Sequence, residues 1–377
     1  MSDSLPTVWS AEQHTLAKHK ILIEYLDAWM PILSRQSQKV GGPGEVIRYI
    51  DGFAGPGSYD RGEKGSPVLA LEAALNHSRD FPVPIELTFV EADKDRCDTL
   101  RATLSPYMPK VQGSTKVRLV PPVCGDCRHV IGGMLDECDR RRTKFGPALV
   151  FLDQFGYSSV PMDLIGRILK HAQCEVLSYL FFRDLDRFIT DPNKHAAITA
   201  AFGGDEWRSA VTMGSGREKF MLATYLESLK KRGNCKYVWP FAMLDANERL
   251  LYWLFFCTNN IRGLEEMKKA MWKVDQTGGF TFNDRDGFAQ FKFLTTYTDE
   301  RLAADLAQAL NGQTMTVGAI NEWVLTQTPA YKFRTALADM ERKKLARVPN
   351  PPAGRRAGTF SDDSMCITFE AQMSLGF

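Results

Sequence analysis

Residues 46–59 read VIRYIDGFAGPGSY. Val46, Ile47, Tyr49 and Ile50 make a short apolar run, the pattern of a central parallel strand covered on both faces. Asp51 stands where that strand should end, and Gly52, Gly55 and Gly57 punctuate the turn that follows. Glycine takes positive φ without strain and lets a ligand approach the main chain closely. The stretch reads as the first βα turn of a doubly wound α/β domain, where a nucleotide-like ligand sits.

The rest of the chain is compatible with that frame. At 377 residues it is long enough for two or three domains, and its net charge of +2 makes any basic patch a local one. No apolar stretch is long enough to span a bilayer, and the N-terminus lacks a signal-peptide core. The eight cysteines are therefore expected to be reduced thiols in a cytoplasmic protein without membrane contact. Cys124 and Cys127 form a CxxC, but no second CxxC or HxxxH follows at zinc-finger spacing. They are read as two thiols at a strand end, with no metal expected.

Upstream of the turn, 10–35 has a helical pattern with Ser10 as N-cap and an apolar face of Leu16, Ile21, Leu22, Tyr25, Leu26, Trp29 and Leu33. Lys18, His19 and Lys20 are read as a solvated face, the alternative being that they lean over the ligand turn. Downstream, strands are expected at 85–90, 117–123, 148–152 and 176–182, with helices at 68–76, 96–104, 130–142 and 162–170 between them. Helices at 193–202 and 217–231 lie in a helical insert near 191–235. Two apolar strands, 237–244 and 250–257, are joined closely enough to be an antiparallel hairpin.

Strands ending in acids recur. Glu91 follows the second strand, Asp126 the third and Asp153 the fourth. The carboxyl edge of an open α/β sheet is where ligands bind, and a carboxylate at the second strand's end takes ribose hydroxyls. Seven strands with a reversed last one describe a methyltransferase-like Rossmann sheet, spanning 1–298, and S-adenosylmethionine (SAM) is the cofactor such a sheet would hold. GxGxxG, the mark of dinucleotide binding, does not occur. On this reading Gly52, Phe53, Gly55 and Gly57 lie along the methionine part, with Asp51 near its ammonium group. Glu91 takes the ribose and Asp126 the adenine amine.

From 299 to 377 the pattern changes to three helices, 299–310, 317–326 and 330–346, then a strand at 366–369. That order is winged-helix-like. Tyr331 to Gly358 carries eight basic residues against two acidic ones, a local net charge of +6. Lys332, Arg334, Lys343, Lys344, Arg355 and Arg356 are the candidate contacts to a nucleic-acid backbone, the alternative being a protein-binding face.

Trp9 with Lys18-His19, YIDGFAGPGSY, GSP at 65–67 and FLDQFGYSSVP at 151–161 together resemble the three-Cys-motif partner (TcmP) family. The resemblance covers most of the first 300 residues. It implies a SAM-methyltransferase-like fold and, as a partner, a three-cysteine-motif protein. Gln154 stands where the family's block has proline. Asp153, Phe155 and Tyr157 partly match the acid and aromatics with which amino-methyltransferases hold an exocyclic amine. They are the candidate catalytic group. Arg183 and Arg187 are candidates for a substrate phosphate or carboxylate, or for ion pairs with Asp184 or Asp186. Two functions remain open: a SAM-dependent methyltransferase acting on nucleic acid, or a non-catalytic SAM-fold binding partner.

Overall fold

The computed structural model describes residues 13–40, 45–154, 160–245, 247–275, 281–283 and 297–370. Trp9 and Ser10 lie outside them. The described residues form two compact units, one running to Val274 and taking in Thr281–Asn283, the other built from 297–370.

The first unit begins with α1 (Gln13–Val40), β1 (Ile47–Asp51), α2 (Ser66–Leu75), β2 (Ile85–Glu91), α3 (Lys94–Leu104) and α4 (Met108–Gln112). Next come β3 (Val117–Leu119), β4 (Val123–Cys124), α5 (Cys127–Arg141), β5 (Ala148–Leu152), α6 (Met162–Lys170) and β6 (Cys174–Leu180). It ends with α7 (Phe182–Phe188), α8 (His195–Phe202), α9 (Arg217–Lys231), β7 (Tyr237–Leu244), β8 (Leu250–Thr258), α10 (Ile261–Val274) and β9 (Thr281–Asn283).

Among the described residues, nine strands share one sheet in the order β3-β2-β1-β5-β6-β8-β7-β9, with β4 pairing β2. β1 runs parallel to both its neighbours, β2 and β5, and β5 runs parallel to β6. β7 and β8 form the expected antiparallel hairpin, with β8 inserted between β6 and β7. The unit is mixed α/β around a mostly parallel sheet. Every residue of β5, β6 and β8 is buried, as expected of strands covered on both faces.

Local chemistry explains where the elements differ from expectation. The expected strand 117–123 is broken into β3 and β4 at Val120-Pro121-Pro122, because proline has no N–H for the ladder. α7 and α10 are not in the expected set. α1 runs on past Pro31, which cannot donate to the Asp27 carbonyl one turn earlier. His77 Nε2 donates to that carbonyl at 3.0 Å instead, while its Nδ1 accepts from the Arg79 N–H at 3.0 Å.

The glycine turn is held by the fold. Gly57 has φ +82°, and a Cβ there would stand 2.9 Å from Leu100 Cδ1 and 3.2 Å from Thr103 Cγ2 of α3. Gly57→Ala is therefore expected to cost about 2–4 kcal/mol, combining left-handed strain with overpacking. Urea unfolding followed by tryptophan fluorescence would measure it. An unchanged midpoint would mean that α3 yields freely.

The second unit comprises α11 (Asp299–Ala309), β10 (Thr314–Thr316), α12 (Val317–Gln327), α13 (Arg334–Arg342), β11 (Ala346–Arg347) and β12 (Cys366–Phe369). β12 pairs antiparallel with β10 on one side and β11 on the other. Leu302, Leu306, Ile320, Val324, Leu337, Met340, Ile367 and Phe369 meet in its core. α13 is shorter than the expected 330–346. Lys344 at φ 59° closes it, and its C-cap Lys343 donates its N–H to the Asp339 carbonyl.

Candidate functional site

Asp51 ends β1 fully buried. Its carboxylate accepts from the Phe53 N–H at 3.1 Å and from Ser66 Oγ at 2.7 Å. The same group thus shapes the turn and ties it to the first residue of α2. Burial raises its pKa to about 7, against the lowering effect of those two hydrogen bonds. Glu91, at the end of β2, accepts from the Gly55 N–H at 2.8 Å and the Asp93 N–H at 2.9 Å. The turn is thus braced by two carboxylates from adjacent strands.

These contacts correct part of the expected ligand geometry. Asp51 has no exposed surface, so it braces the turn from within and is not open to an ammonium ion. A Cβ at Gly52 would meet Leu152 Cδ2 at 3.0 Å, so the turn packs closely on β5 there. Phe53 is half-buried against the core. Glu91 keeps a second lone pair on each oxygen and remains able to accept from a diol. Asp126 caps α5, accepting from the Arg128 N–H at 2.9 Å, and its carboxylate also takes the Arg128 guanidinium at 3.0 Å. The Arg128 contact holds its pKa below the usual carboxylate range.

Over this edge lies a cluster that the sequence reading had placed in solvent. Lys18 and His19 are buried, and Lys18 Nζ forms an ion pair with Asp153. Lys18 also stands 5.3 Å from the ring centre of Tyr179. The solvated-face reading is thus overturned for Lys18 and His19, which lie over the turn as in the alternative, while Lys20 is exposed as that reading expects. The signal was present: Ala17-Lys18, Ile21-Leu22, Tyr25-Leu26 and Trp29-Met30 form one stripe at helical spacing, and Lys18 falls inside it. His19 is held neutral, its pKa lowered to about 3 by burial and by the Lys18 charge. Tyr49, Tyr59 and Tyr179 all sit within the field of Asp51 and Asp153, and burial first, then these charges, raises their pKa values. None of the three tyrosines was singled out from sequence.

Gln154, the departure from the resembled family, is buried and links the end of β6 to the Val160 backbone just before α6. Its Nε2 donates to the Tyr179 carbonyl at 2.8 Å, and its Oε1 accepts from the Val160 N–H at 2.8 Å. A proline there could do neither. Phe155 and Tyr157 lie outside the described residues, so of the expected catalytic group only Asp153 is placed.

Cys97 of α3 and Cys124 of β4 form a disulfide, which corrects the expectation of eight reduced thiols. The partner of Cys124 is thus 27 residues earlier in sequence, while Cys127 is a free thiol buried in the core. No group of three or more metal-ligating side chains occurs among the described residues. No helix among them is long and apolar enough to cross a membrane.

The candidate substrate arginines are exposed on α7. Asp186 pairs with Arg217 at 2.7 Å, and not with Arg183 or Arg187 as the ion-pair alternative had it. In the second unit Arg355 is a correction. Its guanidinium is buried, takes both oxygens of Glu341 at 2.7 and 2.9 Å, and lies over Phe360, so it is a structural clamp. Arg334 pairs with Asp363 at 3.4 Å, Lys343 with Asp339 at 2.7 Å and Arg347 with Glu370 at 2.7 Å. Lys332, Lys344 and Arg356 are exposed and make no ion pair among the described residues. Asp363 and Glu370 fall outside the stretch counted as +6, so with these two partners its local balance is 8 − 4 = +4.

No family model matches this chain, and no curated protein matches it. Seventeen solved chains are similar to it. One is a possible exported protein from Bordetella parapertussis, 11% identical with a TM-score of 0.26. The matched region covers 61% of this chain and 66% of that one, so this chain spans just under two thirds of its length. A likeness of that size bears on neither fold nor function.

Proposed function

We propose that the first unit is a SAM-binding domain of methyltransferase type. The supporting observation is the position of the glycine turn and Asp153 at the carboxyl ends of β1 and β5. These adjacent strands flank the point where the strand order reverses, which is where open α/β sheets take ligands. With β3 and β4 counted as one interrupted strand, the order and the reversed β8–β7 hairpin are those expected of a methyltransferase-like sheet. Glu91 suits the ribose diol and the 52–57 backbone a bound main-chain-like group, with Asp51 holding the turn in shape. SAM would supply a methyl group on a positively charged sulfur. The chain's part is to orient the acceptor and exclude water.

A non-catalytic partner is the second reading, and Lys18 favours it. Asp153, the carboxylate that would accept a substrate's proton, is already paired with a buried ammonium group. The order of helices and strands in the second unit supports a winged-helix reading. Its exposed Lys332, Lys344 and Arg356 are the cations a nucleic-acid backbone would meet.

Titrating the protein with SAM in a calorimeter tests the first reading. Binding is expected, with Glu91→Gln weakening it about tenfold or more, because one charge-assisted diol contact is worth roughly 1.5–3 kcal/mol. No heat at millimolar SAM would overturn it. Incubation of labelled SAM with DNA, RNA and protein then separates transfer from binding alone.

A further inference from the structure

Cys97 sits one turn into α3, its N–H donating to the carbonyl of the capping residue Asp93 at 2.9 Å. Two residues before Asp93 stands Glu91, whose main chain lies in register with Cys124 of β4 and accepts the Gly125 N–H at 2.9 Å. The Cys97–Cys124 bond therefore closes a small ring of covalent and backbone contacts around Glu91, the carboxylate that braces Gly55. Without that bond β4 is weakly held. It has two residues, and Pro121 and Pro122 ahead of it have no N–H to give a ladder. Val123 is only partly buried against the core. Arg101 of α3 reaches the Pro122 carbonyl at 3.0 Å, but that bond is exposed to water and adds little alone.

Cys97 is fully buried and Cys124 exposed, so a reductant meets the bond from the Cys124 side. Exposed disulfides are the ones that thiols open readily. We propose that this disulfide is a redox strap: closed, it holds 123–125 against Glu91, and opened by a dithiol reductant, it lets that segment leave and weakens ligand binding at the β2 edge. One thiolate of the dithiol attacks Cys124 Sγ to form a mixed disulfide, and Cys97 departs as a thiolate that takes up a proton. The second thiol then closes the reductant's own disulfide and frees Cys124 as a thiol. Two electrons and two protons thus pass to the chain. Cys127 takes no part, because burial above all raises its pKa to about 12 and keeps it an unreactive thiol.

The loss of ligand affinity rests on the SAM reading of Glu91, whereas the release of the segment does not. The full chain, purified without reductant, is compared before and after dithiothreitol. Iodoacetamide should label Cys124 only after reduction. Amide exchange over 120–126, read by mass spectrometry, should quicken about tenfold or more, because a lost crosslink returns freedom to the opened segment. Exchange in β5 and β6 should stay as it was. Cys124→Ser changes an exposed side chain and leaves a thiol at Cys97, and it should show the fast rate with or without dithiothreitol. SAM affinity is expected to fall about threefold or more on reduction, since only molecules with the segment in place bind tightly. Labelling of Cys124 without reductant, or equal exchange in the two states, would overturn the strap. Faster exchange with unchanged SAM affinity would overturn its reach to the ligand. No SAM binding in either state would sink the cofactor reading alone, with exchange still deciding the strap.

Discussion

Replacing Asp51 by asparagine is expected to change how the first unit's stability depends on pH, and replacing His19 by glutamine to change it in the opposite sense. Asp51 is an acid whose pKa is raised to about 7 on folding. Between the unfolded carboxylate range and pH 7 the folded state holds a proton that the unfolded chain has released. Its contribution is therefore fully present below about pH 4 and is lost as pH rises through 7. His19 is a base whose pKa is lowered to about 3. The unfolded chain is protonated below about pH 6.5 while the folded ring stays neutral, so its contribution is present above that pH and lost as pH falls towards 3. Both side chains are fully buried, and each effect is on the order of 4 kcal/mol across its window.

In the parent the two trends oppose each other between about pH 4 and 6.5. Asp51→Asn removes the falling trend, so its stability minus the parent's should rise with pH across that range. For His19→Gln the same difference should fall. Taking differences cancels every other titrating group. Urea midpoints at half-unit pH steps give the measurement, and variant curves parallel to the parent's would show that neither group is held as the geometry implies.

Lys18→Met is expected to destabilise the first unit by about 3 kcal/mol, because it leaves the Asp153 carboxylate largely out of water without its counter-charge. Asp153→Asn strands the Lys18 ammonium in the same way. Combining them should cost much less than the sum of the two, with a coupling of at least about 2 kcal/mol, since two neutral groups need no pairing. Strict additivity in that double-mutant cycle would mean that the two side chains do not act on each other. The cycle also bears on function. If SAM binding persists in the double variant while methyl transfer, where it occurs, is lost, the pair serves the reaction and not the cofactor.

Much of the architecture was legible in the chain. The uninterrupted apolar runs at 148–152 and 250–257, the closely joined hairpin strands and the helix 162–170 all carry their structure in local pattern. The broken third strand was also visible, in Pro121-Pro122, although the run of β-formers around it reads as continuous. α10 is different. Its apolar positions at Leu264, Met267, Ala270 and Met271 are interleaved with charges, and its role is evident only from its packing against α1.

The candidate site divides along the same line. By itself, the sequence determined that a strand runs into a glycine turn at 46–59 and that acids stand at successive strand ends, because both depend on residues near one another in the chain. Only the tertiary structure decided what those groups touch. Lys18 meets Asp153 across 135 residues, Cys97 reaches Cys124 across 27, and Arg355 turns inward to Glu341. Charge and hydrogen-bonding partners are chosen by distance in space, and no local periodicity encodes which far segment the fold brings within 3 Å. The turn the sequence marks as a ligand cradle is, in the folded chain, braced by its own carboxylates.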